Sequence, residues 1–383
     1  MRKQGCRSPY LNHDAPTPRS DRRIAPMTPD TLFHDLTVHH IRFQVEAITP
    51  IEMDAFKGSA LRGAWQSYIR RAYCPAPTDA KTSATHRATC PVCYLTARDT
   101  GPEGRRPFAL RPPFSRQRRY EPGEQFSFTF SLFGDTIFLL PYVILAVAEV
   151  GETCGLGRRL DESGRRGRYR LQAVQTVDPH RGQEQELLDA TNRVIHPPQL
   201  CVGADSIAGR AQALAGETPG GAMRLDLLSP LRLIRQQGLM REFHFPVFVQ
   251  RLLERLFALG AEFGREGERY DKATLAAVVA RYLPLAAQVQ VVEDATAWWD
   301  VQGYSSRTGR RHYLGGLVGH VVLQAQDWRP FLPLLLWGES VQLGKNVVKG
   351  GGCFRVSRAG PVPSHSAEAR EARPSQEGDN AHR

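Results

Sequence analysis

DWRPFLPLLLWGESVQLGKNVVKGGGCFRV, residues 327–356, is the stretch on which the fold reading turns. Residues 331–337 are apolar and helix-like, and residues 353–356 read as a closing strand. Between them lies a loop holding Gly344, Lys345, Lys349, Gly350, Gly351 and Gly352. Glycine lets the backbone take positive φ and lets another chain approach closely. Successive backbone N–H groups in such a loop can cradle an anion, and flanking lysines point to phosphate. An ordinary helix-to-strand turn also favours glycine. Three glycines in a row beside two lysines exceed what a turn requires, so the loop is expected to hold a polyanion.

Upstream, residues 222–228 read as a strand, 248–263 and 272–287 as helices, and 288–299 and 311–323 as strands. The first half shows the same order. Residues 36–47 (LTVHHIRFQVEA) have the β-branched enrichment of a strand. Residues 54–73 place Ala60, Leu61, Ala64, Trp65, Tyr68 and Ile69 at helical spacing. Strands follow at 108–111 and 125–132, then a helix at 137–150, a Gly/Arg loop at 151–168 and a strand at 169–177. So βαββαβ occurs twice, each time with a Gly-rich basic loop before the last strand. This is the ferredoxin-like pattern. The fold class is therefore α+β, with two tandem ferredoxin-like domains.

The expected boundaries are a disordered leader at 1–28, an N-terminal domain at 29–202, a Gly/Ala-rich linker at 203–221, a C-terminal domain at 222–357 and a disordered tail at 358–383. A connecting helix is expected at 184–195. The leader lacks an apolar signal region, and Met27 is an alternative start.

The 383 residues are 41% hydrophobic, enough for packed cores rather than global disorder. A net charge of +11 favours an acidic partner, of which nucleic acid is the commonest large one. Seven cysteines in so long a chain are not a secreted disulfide scaffold and suit a reducing cytoplasm. No apolar run is read as reaching the ~18–20 residues of a membrane span.

Seven motifs carry a family resemblance: FKGSALRGAW (56–65), FTFSLFGDTIFLLPYVILA (128–146), GLGRR (155–159), RGRYRL (166–171), SPLRL (229–233), YSSRTGRRHYLGGLVG (304–319) and FLPLLLWGESVQLGKNVVKGGGCF (331–354). In this order they resemble the CRISPR precursor-RNA processing endoribonucleases of the RAMP superfamily. One departure is Gln342, where the family's loop usually opens with a Gly-x-Gly doublet. The resemblance implies metal-independent cleavage of CRISPR repeat RNA, without a cofactor. The ribose 2′-hydroxyl attacks the adjacent phosphate, leaving a 2′,3′-cyclic phosphate. Such chemistry needs in-line alignment, a base, an acid and positive charge at the phosphorane. The alternative is a non-catalytic RAMP subunit that binds guide RNA in an effector complex with other CRISPR subunits.

The family's active residues lie on and just after the first helix, so His86, then His40 and Tyr68, are the catalytic candidates. His86 has a rival role. Cys74, His86, Cys90 and Cys93 form a possible structural zinc set, ranked below free thiols. His86 cannot be both a ligand and a base. Arginine pairs with phosphate through two parallel hydrogen bonds. The RNA-binding candidates are Arg62, Arg158, Arg159, Arg166, Arg168, Arg307, Arg310, Arg311, Gly344, Lys345, Lys349, Gly350, Gly351 and Gly352.

Overall fold

Strand β1, Val38–Ala47, buries Phe43, Val45 and Ala47 on one face, the alternation of a half-buried strand. At its start both His40 and Ile41 are buried, because the second half of the molecule covers the other face there. A computed structural model describes residues 32–76, 83–97, 105–160, 164–189, 194–217, 221–305 and 310–359. The leader, most of the tail and Arg307 lie outside them.

Helix α1, Gly58–Tyr73, follows β1 and buries Leu61, Trp65 and Ile69, four residues apart, on the first sheet. Two short helices, α2 (Ala84–Thr89) and α3 (Pro91–Ala97), come next. Then come β2 (Phe108–Arg111), β3 (Gln125–Phe133), α4 (Leu140–Glu149), β4 (Tyr169–Asp178) and β5 (Gln183–Asp189). The sheet order is β2-β3-β1-β4-β5, antiparallel throughout. Phe43 sits opposite Phe128 on one side and Val174 on the other. With Trp65, Phe108 and Phe130 these residues belong to one core.

The second half contains α5 (Ala204–Glu217), β6 (Ala222–Leu231), α6 (Phe245–Phe263), α7 (Lys272–Ala286), β7 (Gln290–Trp299), β8 (Gly316–Gln324), α8 (Leu332–Val341) and β9 (Phe354–Arg358). Its four-stranded sheet has the order β7-β8-β6-β9. In both halves the outer order is second, third, first, fourth. The chain is thus a mixed α+β protein with the same strand permutation in each half.

The halves interlock. Leu32, Phe33, Leu36 and Val38 precede or open β1, yet they lie in the core of the second half. Phe33 meets Phe257, Tyr270 and Trp337 at centroid distances of 5.7, 6.0 and 6.4 Å. Helix α8 is buried on every side, including Leu332, Leu334, Leu335, Leu336 and Trp337. Each such leucine is worth about 1.5–3 kcal/mol of burial. A helix with no polar face must lie between layers, and α8 packs against β9, α5, α6 and β1.

Three segments depart from expectation. Residues expected as a linker form α5, with Ile207, Ala211 and Leu214 buried along one stripe against α8. Alanine is the best helix former, and the apolar spacing outweighs the glycines. The connecting helix expected at 184–195 is β5 over Gln183–Asp189. Glu, Gln and Leu favour helix in isolation, but pairing Leu188 with Val174 and burying Leu187 override that preference. The strand expected at 311–323 is interrupted. Arg310–Tyr313 pairs instead with Gln302–Ser305 as a separate hairpin, and β8 begins after it.

The helical run Gly134–Cys154 spans 21 residues, with a 3-10 turn before α4 and a π turn after it. Among the described residues it is the one helix long and apolar enough to cross a membrane, contrary to the expectation that no run reaches that length. Here it buries Leu140, Val143, Ile144 and Val147 in the core of the first half.

Candidate nucleic-acid interface

The glycine loop leaves α8 through Gln342 (φ 58°) and turns at Gly344 (φ 94°), Asn346 (φ 68°), Gly350 (φ 88°) and Gly352 (φ 72°). Its backbone donors are largely taken. Lys349 and Gly351 donate to the Asn346 carbonyl, Gly350 to Val347, Gly352 to Pro230 and Lys345 to Arg232. Cys353 donates to the Ser229 hydroxyl. Gly350, Gly351 and Gly352 are buried. The three glycines expected to clasp phosphate therefore serve protein packing instead. Those amides have no donor left for an anion. A Cβ on Gly58 at the start of α1 would lie 1.7 Å from the Lys349 carbonyl, and one on Gly350 would lie 2.4 Å from Pro112. The loop is the joint on which the first half closes against the second.

Beside the joint lies an open groove of about 490 Å³ lined by Arg105, Arg106, Arg232, Arg251, Arg255 and Lys345, with Glu254, Gly344 and Asn346. Arg105 and Arg106 come from the first half and the rest from the second. Arg232 is aimed by a 2.9 Å hydrogen bond to the Gly315 carbonyl and lies over Trp298. Arg251 is held by the Ile234 carbonyl at 3.2 Å and by Glu254 at 2.7 Å. Buried Arg255 donates to the Val341 carbonyl at 3.0 Å and faces the Phe133 ring. Six cations against one carboxylate give a strongly positive surface that straddles both halves.

The second predicted basic cluster is a short hairpin, Leu156–Arg159 with Arg166–Gly167. Arg158 is largely neutralised by Asp54 at 2.5 Å and Glu52 at 3.3 Å. Arg166 donates to the Gly157 carbonyl, while Arg159 and Arg168 are exposed. Half-buried Arg62 on α1 lies close enough to Lys349 to press its charge down. Arg310 and Arg311 belong to the hairpin before β8.

The catalytic candidates do not converge. His40 is 3% exposed, with Nδ1 bonded to the Ser131 hydroxyl at 2.8 Å. Burial, then Arg111, His180 and His39, hold its pKa well below the usual value. It is an internal neutral histidine, out of reach of a phosphate. His86 Nε2 lies 3.4 Å from the Cys74 sulfur, inside a cluster with Cys90 and Cys93. Tyr68, half-buried on α1, has its pKa pushed up to about 12, by burial and then by Glu149. Its phenol stays protonated at neutral pH, so it can give up a proton but cannot serve as the base. Cys74, Cys90 and Cys93 are free thiols, the preferred reading of the cysteine loop, and with His86 their ligand atoms lie within 4.8 Å of one another.

Residues 225–354 match the family model for the CRISPR-associated endoribonuclease Cas6. The second half of the chain is thus similar to that family over 130 residues. Residues 36–200 match a second family model, described as an N-terminal domain. No curated protein sequence matches the chain. Among solved structures, the partial Cas6-RT-Cas1–Cas2 complex is similar at 11% identity and TM-score 0.50, covering 86% of this chain and 47% of that one. A second Cas6-RT-Cas1–Cas2 complex gives 11%, 0.50, 86% and 29%. This chain thus spans less than half the length of those chains. Thermus thermophilus Cas6 aligns at 11% identity and TM-score 0.47, covering 84% of this chain and 99% of that one. At such identity the likeness concerns the fold.

The second half supplies most of the groove, and five of the groove's cations were not selected from the sequence as RNA contacts: Arg105, Arg106, Arg232, Arg251 and Arg255. Arg251 and Arg255 were visible at i, i+4 on an amphipathic helix. Arg105 and Arg106 join them only through tertiary packing. Lys57 was missed as well. Its side chain is fully buried, its ammonium donates to the Ser115 carbonyl, and burial lowers its pKa.

A polar seam joins the first half to the second. His180 Nε2 lies 3.0 Å from the Ser340 hydroxyl, and its Nδ1 is 3.9 Å from Glu339. Burial lowers His180 to about 4 and raises Glu339 to about 7, so we read the contact as neutral rather than an ion pair. A raised carboxyl pKa stabilises the fold below the unfolded value of 4.5, and that contribution is lost as pH rises through about 7. Glu339→Gln keeps an acceptor for the Val356 N–H. It is expected to match the parent near pH 4.5 and to be more stable by roughly 1–3 kcal/mol at pH 8. Urea unfolding at both pH values checks this. A variant less stable at pH 8 would show that the carboxylate is charged and paired.

Proposed function

We propose that this protein is an endoribonuclease that cuts CRISPR repeat RNA in the precursor transcript to release guide RNAs in the cytoplasm. The observation that carries the reading is the six-cation groove, supplied mostly by the half that is similar to the Cas6 family. The paired strand permutation is read as two tandem ferredoxin-like units, with the groove at their joint. A single-stranded or hairpin repeat lies along the groove, phosphates on the arginines and unstacked bases near Trp298. The cut proceeds without a catalytic metal, by 2′-hydroxyl attack giving a 2′,3′-cyclic phosphate. Groove cations stabilise the phosphorane. Lys349, next in the loop to the groove-lining Val348, has its pKa lowered by burial and then by Arg62, the direction a proton-exchanging amine needs. Other CRISPR subunits are the expected protein partners.

A non-catalytic RAMP subunit that binds guide RNA is the second reading. It is favoured by one observation: among the described residues, no histidine lines the groove. Repeat RNA incubated with the full chain in excess EDTA separates the two. The expected result is cleavage at one position in the repeat. Tight binding with intact RNA would establish the second reading.

A further inference from the structure

We infer that Cys74, His86, Cys90 and Cys93 bind one structural zinc ion that clips the α2–α3 segment to the end of α1. The four ligand atoms lie within 4.8 Å of one another. Cys74 and Cys93 sulfurs are 3.7 Å apart, and Cys74 sulfur is 3.4 Å from His86 Nε2. A tetrahedron with ordinary zinc bonds has S–S edges of about 3.8 Å and S–N edges of about 3.6 Å. The observed separations are those edges. They greatly exceed the ~2.05 Å of a disulfide bond.

Helix ends aim the ligands. Cys74 caps α1, its N–H bonded to the Arg70 carbonyl. Ser83 caps α2 by accepting the His86 N–H at 3.1 Å. Cys90 ends α2, four residues after His86, with its N–H on the His86 carbonyl. Cys93 sits one turn into α3 and is fully buried. Three thiols converging in a reducing environment, without a disulfide, are the ligand chemistry of a Cys3His zinc site. Binding would displace the thiol protons and leave the imidazole neutral, with Nε2 as the donor atom.

The site has a structural task. Helices α2 and α3 are short, at 6 and 7 residues, too short to hold themselves. Val92 and Leu95 are fully buried against the first core. The zinc would fasten that segment to the C-terminal end of α1, whose other end abuts the glycine loop. Sixteen helical residues put the clip roughly 24 Å from that loop, while the end of α3 reaches the groove through the Thr96 carbonyl, which accepts from Arg106 at 3.3 Å.

Elemental analysis of the full chain, purified without chelator, is expected to find one zinc per molecule. Less than about a tenth of an equivalent, together with oxidised or freely reactive cysteines, would overturn the site. The Cys90→Ser, Cys93→Ser double variant should lose the metal, and retention of full zinc would also overturn it. That variant risks misfolding, so His86→Cys is the second probe. It should keep zinc with four sulfur ligands, and its cobalt-substituted form should gain roughly one third in thiolate charge-transfer absorption over the parent. A cobalt-substituted parent without thiolate bands would contradict the proposal. Stripping zinc should lower Tm by roughly 5 °C or more. An unchanged Tm would remove the structural role.

Discussion

Gly352→Ala should destabilise the protein by about 3–5 kcal/mol, a large share of the ~5–15 kcal/mol by which a domain is stable. A methyl group there would sit 1.6 Å from the Leu343 carbonyl oxygen, on backbone at φ 72°. The obstacle is main chain, so no side-chain rotation relieves it. The same carbonyl-to-glycine packing closes the joint at Gly58, where a Cβ would meet the Lys349 carbonyl at 1.7 Å. Gly63 on the same helix α1 has nothing within 4 Å. Gly63→Ala should therefore be neutral or stabilising by up to about 1 kcal/mol, from helix propensity alone. Urea denaturation of the two variants measures the contrast. If Gly352→Ala behaves like Gly63→Ala, the loop backbone is not closed on itself as described here.

Arg105→Glu with Lys345→Glu should weaken repeat-RNA binding about 100- to 1,000-fold near 0.1 M salt. The two cations come from different halves and face one groove. Removing each should lower the salt dependence by about 0.7 in logarithmic slope, the value for one single-strand phosphate contact. Reversing both charges adds repulsion to that loss. Arg158→Ala should change affinity less than about threefold, because Asp54 and Glu52 already occupy that guanidinium. Filter binding at several salt concentrations measures all three. A silent Arg105→Glu beside a damaging Lys345→Glu would confine the RNA to the second half.

The duplicated element order was legible in the sequence because it rests on local signals. Alternation marks β1 and β3, the Leu61–Trp65–Ile69 stripe marks α1, and the glycines mark the loop before β9. Segments were misread where tertiary contacts outweigh composition. Helix α5 resembled a linker until its stripe met α8, and β5 resembled a helix until it joined the edge of β4. The importance of the glycine loop was visible, but its reason was not. Residue identity cannot tell a backbone that wraps a phosphate from one that wraps the Leu343 carbonyl.

The candidate site was legible only in part. Lys345 and Gly344 do reach the groove. Arg105 and Arg106 do so only because residues 105–111 pack beside α6 and α8, with the Arg105 amide on Glu262 and Arg111 on the Glu339 carbonyl. His86 carried two readings in the sequence, and the 3.4 Å separation from Cys74 favours the ligand. His40 looked available on a strand, but the second half buries it.

The most direct test examines the ends of the RNA product. Repeat RNA is incubated with the full chain in excess EDTA, zinc is counted in the same sample, and the fragments are analysed by mass. The account expects a 2′,3′-cyclic phosphate on the upstream fragment and a 5′-hydroxyl on the downstream one. It also expects no cleavage when the single 2′-hydroxyl at the cut site is replaced by hydrogen. A 5′-phosphate product, or undiminished cutting of the 2′-deoxy substrate, would contradict it.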